Sequence, residues 1–95
     1  MSQTRNQYKD LKGRLNVTGK NINRIRLEKN LSAQQISDRL IMIGIDIHRQ
    51  AIYDIENGKR TVADYELAAI AEELGVTPND LLAEYTKHLK DEKNN

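Results

Sequence analysis

The 95-residue chain is predicted to fold as an all-α domain of five helices. Apolar residues recur at the spacing of one helix face in five successive stretches, and glycines or a proline fall at the ends of most of them. The chain has no Trp or Phe and only four Tyr, so its core must come from Leu, Ile, Val and Ala. Such a core favours helices packed on helices over an aromatic-rich β-sandwich, and no stretch predicts a strand.

The first two helices have recognisable ends. The spacing predicts the first over residues 20–29, with Thr18 as its cap and Asn30 at its end. The second opens after Ser32, whose hydroxyl can accept from the first free backbone N–H groups, and it stops at Gly44. The residues expected to face the core are Ile22, Ile25, Ile36, Leu40 and Ile43.

The third and fourth helices follow the same pattern. The third is predicted over residues 48–57 and stops at Gly58, and the fourth is capped by Asp64 and stops at Gly75. Their inward residues are expected to be Ile52, Ile55, Leu67, Ile70, Ala71 and Leu74.

The two ends of the chain are more polar than its middle. The fifth helix begins at Thr77, because Thr77, Pro78 and Asp80 supply an N-cap, a first-turn proline and a capping-box acid in that order. It is expected to bury Leu81, Leu82 and Tyr85 before it frays. The predicted organisation is a basic, at most partly ordered N-terminal arm over residues 1–18, a helical domain over residues 19–86 and a polar C-terminal tail over residues 87–95.

Charge is distributed unevenly, although the net charge is only +1. Residues 1–30 carry eight Lys or Arg and two acids, which gives +6, and residues 31–60 are neutral. Residues 61–95 carry three Lys and eight acids, which gives −5. A basic third suits a polyanion, whereas an acidic third would be repelled by one.

Several classes of protein are excluded or disfavoured by what the chain lacks. It has no cysteine, which excludes disulfides and thiolate metal sites, and no run approaches the ~18 apolar residues of a transmembrane helix. Its two histidines, His48 and His88, lie in unrelated helices, and no nucleophile motif or glycine-rich phosphate loop occurs. We therefore expect a cytoplasmic protein that is not an enzyme, uses no cofactor or metal and contacts no membrane.

The stretch from residue 20 to residue 83 carries a resemblance to a known family. Its pieces read NINRIRLEKNLSAQQISDRL, AIYDIENGKR and YELAAIAEELGVTPNDLL, with Ile52-x-x-Ile55-Glu56-Asn57-Gly58 followed by Leu74-Gly75-Val76 and Leu81-Leu82. This order resembles the helix-turn-helix domain of lambda-repressor-like, Cro/C1-type (XRE family) DNA-binding regulators. The resemblance implies a five-helix lambda-repressor-like domain whose third helix lies in the major groove of DNA.

The resemblance also implies roles for individual residues. Arg49 would bind guanine O6 and N7, and Gln50 would bind adenine N6 and N7. Asp54 would accept from cytosine N4, orient Arg49 or Arg60, or simply be solvated. The implied base-reading set is Arg49, Gln50, Ala51, Tyr53 and Asp54. The implied contacts to the DNA backbone are Lys20, Asn21, Gln34, His48, Asn57, Lys59 and Arg60.

One pair implied by the resemblance is structural, and one stretch departs from the family. Arg26 and Glu56 occupy positions where relatives bury an ion pair. Ile52 follows Ile36 by sixteen positions, five more than in the usual pattern, so the connection from helix 2 to helix 3 is extended. The extension is expected to lengthen helix 2 and to turn Ile45 and Ile47 inward around Asp46, which could also cap the third helix in place of His48.

Two functions remain open at this stage. The first is a sequence-specific transcriptional regulator, a repressor, that binds double-stranded DNA as a homodimer through either the fifth helix (Tyr85, Leu89) or the N-terminal arm (Tyr8, Leu11). The alternative is an antitoxin or adaptor that binds a protein partner through the acidic C-terminal third. Substitution of Arg49 and Gln50 separates them, because only a DNA reader would lose specificity.

Overall fold

The computed structural model describes residues 12–94, and within this range the chain forms five α-helices and no strand. The helices are α1 (Gly19–Glu28), α2 (Ala33–Met42), α3 (Arg49–Glu56), α4 (Asp64–Leu74) and α5 (Pro78–Lys93). The prediction of an all-α, five-helix fold is confirmed. The predicted roles of Tyr8 and Leu11 fall outside the described residues.

The core lies where the five helices converge. Helix α2 packs against α3 and α4, α1 packs against α3, and α4 packs against α5. The apolar residues of this core are Ile22, Ile25, Ala33, Ile36, Leu40, Ile47, Ile52, Ile55, Ile70, Ala71, Leu74 and Leu81. Leu67, Leu82 and Tyr85 are only half-buried. Ile43 is 54% exposed, contrary to expectation, because α2 ends at Met42 and Ile43 lies outside its inward stripe.

The first four helices all end at a residue with a left-handed backbone. These residues are Asn30, Gly44, Gly58 and Gly75, as the sequence predicts. After α3, for example, Gly58 N donates to Ile55 O at 3.0 Å and Lys59 N donates to Asp54 O at 2.8 Å. Such paired bonds satisfy the last free carbonyls of a helix and reverse the chain sharply.

The helix starts agree with the sequence in two cases and differ in others. Ser32 and Thr77 form reciprocal capping boxes with Gln35 and Asp80. The backbone N–H bonds at Thr77 lower the pKa of Asp80. The start of α4 is different, because Asp64 is its first helical residue and its N-cap position is held by an alanine.

Two further expectations about helix ends are wrong. Thr18 makes no side-chain cap bond to α1, and within residues 12–94 its buried hydroxyl has no hydrogen-bond partner. Helix α5 continues to Lys93 instead of fraying after Tyr85. Its exposed last turns are stabilised by the i,i+4 pair of Lys87 and Asp91, at 3.3 Å.

Candidate nucleic-acid interface

The inner side of α3 is fixed by a buried ion pair. Arg26 in α1 donates from Nε to Glu56 Oε2 at 2.6 Å and from Nη2 to Glu56 Oε1 at 3.0 Å. The two side chains are 8% and 4% exposed. Asn23 Nδ2 donates to the same carboxylate at 2.9 Å, and Arg26 Nη1 donates to the Leu31 carbonyl at 2.9 Å. The hydrogen bond to Glu56 raises the pKa of Arg26, and the pair holds the end of α3 against α1.

A single amide joins the start of α1 to the end of α3. Asn16 Oδ1 accepts from Gly19 N at 2.8 Å, and Asn16 Nδ2 donates to the carbonyls of Ile55 and Arg60, both at 2.9 Å. Asn16 therefore accepts a hydrogen bond from the first turn of α1, which is the capping role that the sequence predicts for Thr18. Gly19 is required here because a side chain on it would overlap with the Ile55 carbonyl oxygen.

The residues before Asn16 run alongside the same end of α3. Leu15 N donates to Gly58 O at 2.8 Å, and Arg14 Nη2 donates to Glu56 O at 2.6 Å. The Arg14 side chain packs on Gly58, where an added Cβ would lie 2.8 Å from the Arg14 stem. A cation at this position also opposes the negative end of the α3 dipole.

The outer side of α3 is polar and only lightly contacted. Arg49 and Gln50 are exposed in its first turn, Tyr53 is 39% exposed one turn later, and Ala51 and Asp54 are partly buried. Gln50 Nε2 donates to Asp54 Oδ1 at 3.1 Å, so of the alternatives left open for Asp54 the structure does not show the orientation of Arg49 or Arg60. The Arg26 guanidinium lies 5.9 Å from the centre of the Tyr53 ring, which places Tyr53 between the two sides of the helix.

The N-terminus of α3 has open backbone donors. His48 occupies the N-cap position without a side-chain bond to the helix, and its Nε2 lies 2.8 Å from Asp46 Oδ1 instead. His48 therefore stands at the predicted N-cap position of α3, but neither its side chain nor that of Asp46 makes a cap hydrogen bond. Since no side chain of residues 12–94 caps this end, its N–H groups and positive dipole remain available to an anion.

Most of the residues predicted to contact the DNA backbone lie at the surface. Lys20, Gln34, His48, Asn57 and Lys59 are exposed. Gln34 Nε2 donates to Asp38 Oδ1 at 2.9 Å within α2.

Two residues of that predicted set are corrected by the structure. Asn21 is 4% exposed, because its Nδ2 donates to the Leu81 carbonyl in α5 at 3.0 Å. Arg60 donates from Nη1 and Nη2 to Glu66, both at 3.0 Å, and from Nη1 to Thr61 O at 2.8 Å. This contact raises the pKa of Arg60 and lowers that of Glu66, so both remain charged at neutral pH. Neither side chain is free to bind phosphate.

The connection from α2 to α3 occupies residues 43–48. Ile45 is partly buried and Ile47 fully buried on either side of exposed Asp46, as predicted. Ser37 Oγ donates to Ile47 O at 2.8 Å and holds the connection against α2. The end of α2 is unusually apolar at the surface, with Met42 85% exposed.

Three contributors to this arrangement are not recognised from the sequence. They are Arg14 and Asn16, in the region interpreted as an N-terminal arm, and Gly19, the first residue of α1. Their partners lie about forty residues away, at the end of α3, and no local pattern indicates a pairing of that range. The one signal in the sequence is Gly19, which directly follows the predicted cap residue Thr18. A glycine at this position permits another part of the backbone to approach closely.

The described part of the chain carries neither a metal-binding cluster nor a membrane-spanning helix. Residues 12–94 contain no group of three or more His, Asp or Glu side chains arranged to hold a metal ion. None of the helices between Lys12 and Asn94 is long and apolar enough to span a membrane.

Comparison with known proteins agrees with the helical fold. A family profile described as a helix-turn-helix domain matches residues 19–87. Control protein C.BamHI of Bacillus amyloliquefaciens is 38% identical over 64 residues, which cover 67% of this chain and 74% of that protein. No solved structure shows a significant match. The chain belongs to the helix-turn-helix family, as a Cro/C1-type DNA-binding transcription regulator.

Proposed function

We propose that the protein is a sequence-specific regulator that reads the major groove of double-stranded DNA with the outer side of α3. One observation carries this proposal. Arg49 and Gln50 are exposed at an uncapped helix N-terminus, while Arg26 and Glu56 fix the opposite side of the helix. A reading helix needs both properties, because base contacts require side chains that are free to bind on a backbone that does not move.

The exposed side chains suit hydrogen bonding to base edges. Arg49 can donate two parallel bonds to guanine O6 and N7, and Gln50 can exchange two bonds with adenine N6 and N7. The Asp54 carboxylate holds one N–H of Gln50, which leaves its amide oxygen and its other N–H for a base. Ala51 and Tyr53 complete the reading set, with Tyr53 at its inner edge.

The DNA backbone would be bound around this centre. The free N–H groups of α3 and the side chains of Lys20, Gln34, His48, Asn57 and Lys59 are the proposed phosphate contacts. These contacts set the orientation of the domain, and α3 supplies the discrimination between sequences.

The small size of this footprint supports binding as a homodimer, and we propose that the dimer acts as a repressor. About five phosphate contacts give weak binding at physiological salt, and two domains on half-sites roughly 34 Å apart would bind far better. We propose α5 as the dimer contact, because Leu89 is 46% exposed on its surface. A dimer that covers its operator would repress by occupying DNA that another protein needs.

The acidic C-terminal third supports a second candidate function, the binding of a basic protein partner. Residues 61–95 carry a charge of −5, and the last turns of α5 are exposed. This candidate needs no DNA binding by Arg49 and Gln50, which makes the two separable by experiment.

The test is selection of DNA by the purified protein. A labelled pool of genomic fragments is titrated at two salt concentrations, and the retained fragments are sequenced. We expect enrichment of a palindromic site, with log K falling by about 0.9 per phosphate contact against log salt. Uniform retention that modest salt abolishes would overturn the proposal.

A further inference from the structure

We infer that the DNA-binding surface extends beyond α3 onto the segment before α1, where Lys12 and Lys20 form a second phosphate-binding surface that Arg14 holds in place. We call this surface the basic groove; it lies between residues 12–20 and α5. The inference rests on the proposed function and deepens it, because it adds Lys12 to the phosphate contacts proposed above, which already include Lys20.

The basic groove is an open cleft of about 630 Å³. Lys12, Arg14 and Lys20 line one side, and Glu84, Tyr85 and His88 of α5 line the other. The groove thus brings three permanent cations together against a single carboxylate, with the Tyr85 hydroxyl as a further hydrogen-bonding group. Among residues 12–94, no carboxylate lies within ion-pair distance of Lys12, Lys20 or the neighbouring Lys59.

The segment that carries Lys12 is held rigidly to the end of α3. Its three fixed points are the bonds of Arg14 to Glu56 O, of Leu15 to Gly58 O and of Asn16 to Ile55 O. These bonds fix residues 14–16 against the last turn of α3 and Gly58. Lys12, two residues before Arg14, therefore stays close to the end of α3, where a DNA backbone would approach.

The chemistry of the groove selects a phosphodiester backbone and not base edges. Its cations are two lysines and an arginine whose guanidinium already donates to a carbonyl, so the groove presents no free guanidinium to a base. Lysine binds phosphate as a point charge, with little dependence on base sequence. The groove should therefore add affinity equally to every DNA sequence.

Lys12→Gln tests the inference, with Lys93→Gln as the matched control. Both substitutions remove one exposed positive charge, but Lys93 is the last residue of α5 and lies outside the groove. Binding is measured on the selected duplex and on a scrambled duplex from 50 to 200 mM salt. Lys12→Gln should reduce the salt slope by about 0.9, so that its deficit relative to wild type shrinks about 3.5-fold across this range.

Further measurements sharpen the result. Lys12→Gln should weaken both duplexes by the same factor and remove a site of phosphate-ethylation interference, whereas Glu84→Gln should tighten both. Lys93→Gln should change neither slope nor interference pattern. If wild type binds specifically and Lys12→Gln keeps the full slope and interference pattern, the inference is wrong and the proposed function stands. If wild type binds no duplex specifically, the proposed function fails, and the inference fails with it.

Discussion

The two sides of α3 differ in how fully their polar groups are bonded. On the inner side, Glu56 accepts from Arg26 and Asn23 at 2.6 to 3.0 Å, in a region closed to solvent. On the outer side, Arg49 is exposed and Gln50 has a single 3.1 Å bond to a neighbour in the same helix. The inner side should therefore determine stability and the outer side binding. Each substitution described below should change either stability or DNA binding more than it changes the other.

The largest effect is expected from Arg26→Ala. Removal of one partner of a buried pair leaves the Glu56 charge unpaired and typically costs about 3–5 kcal/mol. DNA binding should fall only in proportion to the fraction of unfolded protein. Chemical denaturation gives the free energy of unfolding, and binding below the unfolding midpoint should be largely retained. A variant that folds as well as wild type and still fails to bind would instead place Arg26 in the DNA contact.

Gly19→Ala should come next. The added methyl overlaps with the Ile55 carbonyl, so α1 must move away from α3 at a cost of about 1–3 kcal/mol. Lys20→Ala is the control, since the neighbouring position of α1 is exposed and alanine suits a helix. Thermal unfolding of both variants is the measurement. An equal loss of stability at the two positions would show that contact with Ile55 is not the cause.

Glu66→Gln should shift stability and binding in opposite directions. The free energy of unfolding should fall by about 1 kcal/mol at neutral pH, because Arg60 loses a charged partner. The released guanidinium should then strengthen binding to all DNA sequences. Because the folded-state pKa of Glu66 is lowered from 4.5, its contribution is complete above that pH and is lost as the pH falls through the folded-state value. Unfolding curves for both proteins should therefore converge in acid, and a constant difference down to the lowest pH would contradict this origin.

Asp54→Ala should have the smallest effect on stability. Loss of an exposed i,i+4 hydrogen bond costs roughly 0.2–0.5 kcal/mol. Binding should tighten for all sequences, because a carboxylate leaves the DNA-facing side, and preference should weaken at the base pair that Gln50 reads. Selection with the variant gives both quantities. Preference lost at a different base pair would mean that Asp54 contacts DNA by itself.

The sequence predicts those parts of the fold that depend on local chemistry. Gly58 and Gly75 end their helices because glycine tolerates a left-handed backbone, and Thr77 with Asp80 opens α5 because both caps lie within one turn. The position of Asn21 was not predictable in this way. It looks like a surface polar residue near a helix start, yet its partner, the Leu81 carbonyl, is 60 residues away.

The residues of the candidate site also fall into two groups, those whose placement follows from local sequence and those whose placement depends on distant contacts. Exposure of Arg49 and Gln50 follows from the inward positions of Ile52 and Ile55, which fix the orientation of a short helix. The loss of Arg60 from the phosphate contacts does not follow, because it depends on the approach of Glu66 from α4. Asn16 is the strongest case, since its amide connects three separate parts of the chain.

The most direct test of the account compares specificity and stability in the Arg49→Ala, Gln50→Ala double variant. We measure its affinity for the selected duplex and for a scrambled duplex, together with its free energy of unfolding. The account predicts a loss of about 1–3 kcal/mol of discrimination per residue, with salt-dependent nonspecific binding retained and stability within about 0.5 kcal/mol of wild type. Unchanged discrimination in a folded protein would contradict the claim that the outer side of α3 reads DNA.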